Sequence, residues 1–188
     1  MTTLTVRRAR PADSERIREL NELAMSETPE WVPDAPDADL RDVQTHYVDA
    51  GGEFLVGVRE GRILATAAYE PLDGWMREQF VGTDQPPEST VGQPAESTVD
   101  RTSESTAELS RMRVDPVCWG QGFGTQVYEE LASRAREDGY RVFVLNTGVD
   151  NDRARGFYET LGFEAVREVT VEFDDVTLEL ALYRREID

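Results

Sequence analysis

The sequence of 188 residues predicts one α/β domain built around a mixed sheet. Segments with the polarity pattern or the β-branched residues of strands alternate with segments whose apolar residues recur at helical spacing. Glycine or proline marks most of the boundaries between these segments. The resulting order, β-α-α-β-β-β-α-β-α-β-β, is typical of α/β domains. A chain of this length can bury a substantial core, so we expect residues 1–188 to form a single domain.

The first third of the chain is predicted to form a strand and two helices. Residues 4–7 alternate in polarity, as strand residues do. Asp13 precedes a segment with apolar residues at helical spacing and is a candidate N-cap. Three prolines interrupt residues 27–37, so this segment is expected to be a loop. A second helix is expected between this loop and the glycine pair at 51 and 52.

Two strands of a hairpin are predicted next, at residues 53–59 and 62–69, around the turn Glu60-Gly61. In the second half, residues 108–114 are a predicted strand that leads into a glycine-rich turn and a helix. That helix is predicted to end at Gly139. The remaining predicted elements are a strand at 141–146, a helix at 152–161 closed by Gly162, and a pair of strands at 166–173 and 176–183.

A change in composition between about residues 73 and 107 predicts a low-complexity insertion between two strands. Glu-Ser-Thr recurs every eight residues, at 88–90, 96–98 and 104–106. Short units rich in Pro, Ser and Glu cannot bury a core, so we expect this segment to be mobile. A tolerated loop is favoured over a functional lid because surface loops lengthen at little free-energy cost. Residues 75–80 are expected to form a short helix over a neighbouring pocket.

The charge balance excludes some partners. Acidic residues outnumber basic ones 38 to 20, the net charge is −18, and the sequence contains no lysine. Neither nucleic acid nor an anionic membrane would attract such a chain, so we expect neither as a partner. We favour adaptation to a cytoplasm of multimolar salt, because a carboxylate-rich surface stays hydrated there and its self-repulsion is screened. This composition is similar to that of proteins from halophilic archaea, and it therefore says little about the substrate.

The sequence predicts a cytoplasmic protein without a metal site. No apolar segment approaches the roughly 18 residues of a membrane span, and the first residues lack a signal-peptide core, so a cytoplasmic protein is expected. The single cysteine, Cys118, excludes an internal disulfide and a cysteine-rich metal site. His46 is the only histidine, and we interpret it as a partly exposed helix residue. No metal is expected.

Three alternate glycines, Gly120, Gly122 and Gly124, open the helix that follows the strand at 108–114. The first N–H groups of a helix have no internal partner and attract anions, and glycine lets a ligand approach the main chain. The segment is therefore a candidate phosphate-binding loop. A dinucleotide fingerprint would lie in an early βαβ unit, and a Walker loop requires a lysine that this chain lacks.

Three local patterns, in the predicted order of elements, resemble the GNAT superfamily of acyl-CoA N-acyltransferases. The resemblance covers nearly the whole chain outside the insertion and implies a mixed, mostly antiparallel central sheet flanked by helices. Together the patterns are more specific than any one of them. They are Leu-Ser-Arg-Met-Arg-Val-Asp-Pro at 109–116 with Gly-Gln-Gly-Phe-Gly at 120–124, Leu-Asn-Thr-Gly at 145–148 followed by Asn151, and Ala-Arg-Gly-Phe-Tyr-Glu-Thr-Leu-Gly-Phe at 154–163.

The resemblance implies acetyl-CoA as co-substrate. The main chain of Met112, Arg113 and Val114 would hold the pantetheine arm, and Asn151 would hydrogen-bond the cofactor. The pyrophosphate would be bound by the main-chain N–H groups of the loop formed by Gly120, Gln121, Gly122, Phe123, Gly124 and Thr125.

The resemblance also implies that Tyr158 donates a proton to the leaving CoA thiolate. From the residues alone, the alternative is a core aromatic on the helix face that carries Phe157 and Leu161. A general base must take the proton of the amine, and a carboxylate can do so through water. Glu108 stands where many family members carry such a glutamate, although a surface glutamate is an equally good interpretation in so acidic a chain. Glu70 is the second candidate.

One residue departs from the family pattern. The loop usually begins with Gln or Arg, and here that position is Trp119. Arg153 or Arg155 could supply the missing charge, with an exposed helix arginine as the alternative. Cys118, next to the loop, is interpreted as a small buried hydrophobic residue because no basic partner lies near it in sequence.

The function that the resemblance implies is transfer of an acetyl group to a primary amine by direct attack in a ternary complex. The acceptor stays open between a small-molecule amine and a peptide or protein amine. Trp31 and its loop are expected to wall the amine pocket. A homodimer formed by the last strands is a further expectation. The alternative is a catalytically silent acyl-CoA-binding or regulatory domain of the same fold.

Overall fold

The computed structural model describes residues 3–32, 37–81, 105–173 and 176–188. The elements are numbered in chain order. The strands are β1 (Thr5–Arg8), β2 (Glu53–Arg59), β3 (Arg62–Pro71), β4 (Thr106–Val114), β5 (Val142–Gly148), β6 (Glu164–Phe173) and β7 (Val176–Glu186). The α-helices are α1 (Ser14–Met25), α2 (Ala38–Arg41), α3 (Gly74–Val81), α4 (Phe123–Glu137) and α5 (Asp152–Thr160).

The strands form one sheet in the order β1-β2-β3-β4-β5-β7-β6. Among the described strands, β4 and β5 pair in parallel and every other neighbouring pair is antiparallel. The predicted mixed, mostly antiparallel sheet flanked by helices is therefore confirmed. The element order gains α3, which forms where a short helix was expected within residues 75–80.

The hairpin between β2 and β3 forms as its sequence predicts. Glu60 and Gly61 have φ angles of +51° and +75°, and this left-handed pair matches the twist of the two strands. Helix α4 also ends as predicted, at Gly139 with φ +97°.

Asp13 is the N-cap residue of α1, as predicted, but its side chain makes no capping hydrogen bond to that helix. Residues Pro11–Asp13 form a 3-10 turn before α1, and the carboxylate of Asp13 accepts from the N–H of Arg10 at 2.7 Å. The same carboxylate is bound by two nitrogens of Arg7, at 2.7 and 3.0 Å. A guanidinium outcompetes the helix N–H groups because the bidentate contact is charge-assisted.

The predicted second helix is two shorter pieces, α2 and a π-helical turn at Gln44–Val48. The wide turn carries Tyr47 into the core, where its ring meets Phe54 edge-on at 5.1 Å between centroids. The Tyr47 hydroxyl donates to Asp39 in α2 at 2.6 Å.

Apolar side chains fill both faces of the sheet. Helices α4 and α5 cover one face, with Phe123, Leu131 and Phe143 among the buried residues. On the other face, α1 and α2 cover β2 and β3. Helix α3 covers β5 and β7 through Met76, which is 1% exposed. None of the described helices has the length and apolar composition required to cross a lipid bilayer.

The predicted insertion is partly structured at both ends. Residues 74–81 are helical, and residues 106 and 107 already belong to β4. Helix α3 packs on the sheet through Met76 and is part of the core. Residues 82–104, with the Glu-Ser-Thr units at 88–90 and 96–98, lie outside the described residues, so their mobility remains a prediction.

Candidate active site

The site lies where β4 and β5 separate. These strands pair only over residues 106–108 and 142–144, and beyond that point both continue without pairing to each other. The separation opens a cavity of about 680 Å³ between the two strands. Residues 112–114 of β4 and 146–148 of β5 line it, together with the turn before α4 and one face of α5.

A β-bulge in β4 directs this separation. Ala68 of β3 pairs with Ser110 and Thr66 pairs with Arg113, so β4 carries one extra residue between them. Arg111 adopts a left-handed φ of +51°, and its carbonyl accepts from the Thr66 hydroxyl at 2.8 Å. A bulge bends the strand that carries it, and here it occurs where β4 leaves β5.

Two main-chain carbonyls of β4 accept hydrogen bonds from side chains. The carbonyl of Met112 accepts from Nη1 of Arg113, and the carbonyl of Val114 accepts from Nε1 of Trp119, both at 2.9 Å. Met112, Arg113 and Val114 are the residues that the resemblance assigns to the pantetheine arm, and Trp119 belongs to the turn that follows. All four line the large cavity.

The turn before α4 is shaped by Asp115. Its carboxylate accepts from the N–H of Val117 at 3.3 Å and is bound by Arg16 of α1 at 2.8 Å. Gly120 and Gly122 follow with φ angles of +76° and +79°, and a Cβ at either position would meet no atom within 4 Å. The main chain of the turn is therefore open toward the cavity, in conformations that other residues rarely adopt.

The main-chain N–H groups of residues 122–125 donate to no acceptor among the described residues. They open the 15-residue helix α4, whose dipole makes this end attractive to anions. The third glycine has a different role. A Cβ on Gly124 would lie 3.0 Å from the ring of Phe157, so this glycine permits the close packing of α4 on α5.

Trp119 and Arg153 stand together at this turn. The Cζ of Arg153 lies 3.7 Å from the centroid of the Trp119 ring, a cation–π contact, and both residues line the cavity. Arg155, by contrast, donates to the Tyr183 hydroxyl and to the Val149 carbonyl and is not among the lining residues. Of the two candidate arginines, the structure therefore brings Arg153 to the loop. Cys118 is half-buried and also lines the cavity.

A carboxylate that sequence reasoning missed closes the other end of the cavity. Glu30 accepts from the amide of Asn151 at 2.7 Å, from the Thr147 hydroxyl at 3.2 Å and from the main-chain N–H of Gly148. Asn151 also caps α5 by accepting from the N–H of Ala154 at 3.1 Å. Both polar atoms of the Asn151 side chain thus have partners within the chain. Nothing in the proline-rich loop distinguishes Glu30 from the other acidic residues of this sequence.

Tyr158 is 8% exposed and packs against the rings of Phe157, Phe163 and Tyr183. Within the described part of the chain, its hydroxyl has no hydrogen-bond partner. Burial raises the pKa of Tyr158 to about 12, while the charge of Arg113 lowers it and that of Glu30 raises it further. The hydroxyl is thus a protonated donor at neutral pH.

A second, polar cavity of about 390 Å³ adjoins the first. Arg113, Asn146 and Tyr158 line both cavities. Tyr158 therefore stands at the junction between a largely apolar cavity and a polar one. The other residues of the polar cavity are Asp39, His46, Tyr47, Glu70, Glu108, Leu109, Ser110 and Arg111.

The two glutamates proposed as the base lie side by side in this cavity. Glu70 and Glu108 are direct cross-strand partners on β3 and β4. Burial, and secondly the charge of Glu70, raise the pKa of Glu108 to about 8. Burial also raises the pKa of Glu70, although a contact from the Ser110 hydroxyl at 3.4 Å opposes this. Neither glutamate is a surface residue that merely solvates the protein.

Two further charges of the cavity, Arg111 and Asp39, form an ion pair. Arg111 binds Asp39 through two nitrogens, at 2.7 and 2.9 Å. His46, an exposed residue of the π-helical turn, also lines the polar cavity. Trp31 lines neither cavity, and its side chain is 43% exposed. Among the described residues, no group of three His, Cys, Asp or Glu side chains is placed to hold a metal ion.

Two solved structures share this fold over nearly the whole chain. One is an N-acetyltransferase from Staphylococcus aureus Mu50, with a TM-score of 0.72, 18% identity and coverage of 100% of both chains. The other is a GNAT superfamily phosphinothricin acetyltransferase from Sinorhizobium meliloti in complex with AcCoA, with a TM-score of 0.70 and 20% identity, covering 99% of this chain and 89% of that one. At these identities the likeness shows the fold.

Comparison at the level of sequence identifies the family as well as the fold. An uncharacterized N-acetyltransferase of Methanocaldococcus jannaschii is 40% identical over 58 residues, which are 31% of this chain. The match spans about a quarter, 26%, of the length of that curated relative. The family model described as the Acetyltransferase (GNAT) family matches residues 17–163, from α1 to the end of the turn after α5. This match covers most of the chain, which therefore belongs to the GNAT acetyltransferase family.

Proposed function

We propose that this protein transfers an acetyl group from acetyl-CoA to a primary amine, which attacks the thioester directly in a ternary complex. The position of Tyr158 carries the proposal. Its buried hydroxyl lies where a cavity suited to the cofactor meets a cavity that holds two glutamates with raised pKa values. Tyr158 can thus donate a proton at the junction, and a glutamate can accept one in the adjoining polar cavity.

The large cavity suits acetyl-CoA, which supplies the acetyl group as an activated thioester. The N–H groups of residues 122–125, which meet no acceptor in the described part of the chain, are available to the pyrophosphate at the start of α4. Arg153 adds a positive charge at the same place, held by its contact with the Trp119 ring. We propose that this pair replaces the Gln or Arg with which the family loop usually begins. The AcCoA complex of the phosphinothricin acetyltransferase supports the choice of cofactor.

Glu108 is the base that we propose. An amine acceptor is an ammonium ion at neutral pH and must lose a proton before it can attack. A carboxylate whose pKa is about 8 holds a proton far better than an ordinary glutamate, which makes it an effective acceptor near neutral pH. Glu70, its cross-strand partner, raises this pKa and is the second candidate.

Tyr158 is the acid that we propose. Its hydroxyl is protonated at neutral pH and has no acceptor among the described residues, so it is available to a group in the cavity. There it would donate a hydrogen bond, and then its proton, to the sulfur of the departing CoA. The nearby charge of Arg113 favours this transfer because it lowers the pKa of the hydroxyl.

A silent acyl-CoA-binding domain is the second candidate function. The carbonyls of Met112 and Val114 each accept one hydrogen bond from a side chain already, which leaves one lone pair on each for the pantetheine arm. Release of CoA thiol from acetyl-CoA with a panel of amines and peptides, measured beside calorimetric binding of acetyl-CoA, separates the two. Binding without thiol release for every acceptor would favour the silent domain, and absence of binding would contradict both.

The acidic, lysine-free composition supports a further proposal, that the protein works in a cytoplasm of multimolar salt. Screening should reduce the repulsion among its excess carboxylates. We expect the melting temperature and the activity to rise as KCl is raised from millimolar to molar concentration. A protein that is most stable at low salt would contradict this.

We also propose a homodimer in which β6 pairs with its copy. β6 ends the sheet beside β7, so its outer edge has no neighbouring strand among the described residues. Light scattering behind size-exclusion chromatography should give twice the mass of 21.2 kDa. A monomer at all protein concentrations would contradict this arrangement.

A further inference from the structure

Arg113 has no carboxylate partner among the residues that the structure describes. Its Nε donates to the side-chain oxygen of Asn21 at 3.0 Å and its Nη1 donates to the Met112 carbonyl at 2.9 Å. In a chain with 38 acidic residues, no carboxylate oxygen of the described residues lies within the 4.0 Å that defines an ion pair. Two uncharged acceptors leave its charge uncompensated.

The neighbouring arginine on β4 shows the contrast. Arg111 is bound through two nitrogens by Asp39, which neutralises it. The pKa of Arg113 is lowered by burial and secondly by the charge of Arg111. The charge of Glu30 raises the pKa of Arg113, but the Glu30 carboxylate is engaged by donors at the end of β5. A partly buried cation without a counter-ion is costly, which suggests that an anion binds here during function.

The position of Arg113 suggests which ligand brings that anion. Arg113 lines both cavities and shares the junction with Tyr158, the proposed acid. The phosphates of the cofactor have their own donors at the start of α4 and at Arg153. The anion at Arg113 therefore belongs to the reacting end of the site.

The charges of the polar cavity are complementary to a zwitterion. Asp39 and Arg111 neutralise each other. Glu70 and Glu108 are cross-strand partners, and the charge of Glu70 raises the pKa of Glu108, so a single negative charge on the pair is favoured over two. With Arg113, the cavity keeps one negative and one positive site after its internal pairs are formed.

We propose, resting on the function proposed above, that the acceptor is an amino-acid-like zwitterion whose amine faces Glu70 and Glu108 and whose carboxylate is bound by Arg113. A cavity of about 390 Å³, with Leu109 as the single aliphatic residue of its lining, suits a small polar molecule. An acyl donor with a terminal carboxylate would satisfy the same arginine, so the experiment must separate the two sources of the carboxylate.

The experiment measures CoA thiol release with matched acceptors: the common α-amino acids, their carboxamides and the amines formed by their decarboxylation. With acetyl-CoA, the wild-type protein should prefer at least one amino acid over its carboxamide and its amine by about tenfold or more in kcat/KM, the effect of a lost charge-assisted hydrogen bond. In Arg113→Gln the preference should disappear, with a kcat/KM ratio of about 1, while the plain amine is still acetylated. Arg113→Lys, which keeps the charge, should retain part of the preference.

Arg153→Gln is the matched control. It removes a cavity-lining arginine at the cofactor end, so it should raise the KM for acetyl-CoA and leave the ratio between amino acid and amine unchanged. A merely structural role of Arg113 would lower the rates with all acceptors together and would also leave that ratio unchanged, and this result would overturn the inference.

Further outcomes distinguish the inference from the proposed function. Equal use of amino acids, carboxamides and amines by the wild-type protein would overturn the inference alone, as would a strong preference for a peptide with an amidated C-terminus. A preference for succinyl-CoA over acetyl-CoA with plain amines, lost in Arg113→Gln, would assign the carboxylate to the donor and overturn it too. Absence of thiol release with every acceptor would overturn both proposals.

Discussion

Replacing Glu70 by glutamine should shift the pH dependence of acetyl transfer in a direction that identifies the base. If Glu108 takes the proton of the amine, only its ionised form is active. Its pKa of about 8 then sets the acid limb of the profile. At pH 6 about 1% of Glu108 is ionised, so kcat/KM should be about 100-fold below its plateau.

The size of the shift follows from the position of Glu70. It is the direct cross-strand partner of Glu108, and its charge raises the pKa of that residue. Two carboxylates about 5–7 Å apart, at an effective dielectric constant of about 20–40, repel each other by roughly 1–3 kcal/mol. Glu70→Gln should therefore lower the pKa of Glu108, and the acid limb should move toward lower pH by about one unit or more.

The assay is the initial rate of CoA thiol release between pH 5 and pH 10 with one acceptor and saturating acetyl-CoA. The acceptor's own ammonium group titrates in the same range, so the informative quantity is the difference between the two proteins. Loss of activity in Glu70→Gln, with a shifted limb in Glu108→Gln, would exchange the roles of the two glutamates. An unchanged limb in Glu70→Gln, or full activity in Glu108→Gln, would refute the reasoning.

The same residue gives a check that does not depend on activity. Because the folded-state pKa of Glu108 lies above its unfolded value, the folded protein binds more protons than the unfolded chain between pH 4.5 and about 8. This contribution therefore destabilises the fold progressively as pH rises through that window. Glu108→Gln should raise the melting temperature at pH 8 and change it little at pH 4.5, as measured by calorimetry at one salt concentration.

Three further substitutions test other parts of the site. Tyr158→Phe should lower kcat by about 100-fold or more and leave calorimetric acetyl-CoA binding unchanged, since it removes the proposed proton donor and keeps the ring; unchanged turnover would remove that role. Arg153→Gln should weaken acetyl-CoA binding about tenfold at low ionic strength and less at high salt, whereas the control Arg155→Gln should not; equal effects would contradict the cofactor contact. Gly148→Ala would put a Cβ about 2.5 Å from the Glu30 carboxylate, so it should lower stability by roughly 1–3 kcal/mol in urea unfolding; a neutral result would show that the loop moves freely.

Local signals predicted much of the fold. Glu60-Gly61 specified a two-residue turn, and the structure shows both residues with left-handed φ angles. Gly139 ended a helix as expected for a residue without a Cβ. Asp13 occupies the predicted N-cap position without capping the helix through its side chain, because Arg7 binds its carboxylate. The second helix was predicted wrongly, because Asp39 supplies a contact that competes with ordinary helix geometry. Such contacts depend on residues brought together by the fold.

The candidate site was likewise predictable from the sequence in part and not in whole. Glycine spacing identified the loop at 120–124, since backbone freedom is a property of the residues themselves. The resemblance directed attention to Tyr158 and Glu108, which the structure brings to adjoining cavities. No sequence pattern indicated the role of Glu30 or the lack of a counter-ion for Arg113 among the described residues. Both depend on which partners a side chain meets across the sheet.

By itself, the sequence determined the order of most of the elements, a candidate phosphate-binding loop and, through three short patterns, the family. These features depend on residue type and on spacing over a few positions. Only the tertiary structure decided the environment of each charge: that Arg153 lies over Trp119, that Glu70 stands beside Glu108, and that Arg113 has no counter-ion among the described residues. Burial and charge separation are properties of distances between residues far apart in the chain, and folding alone sets those distances.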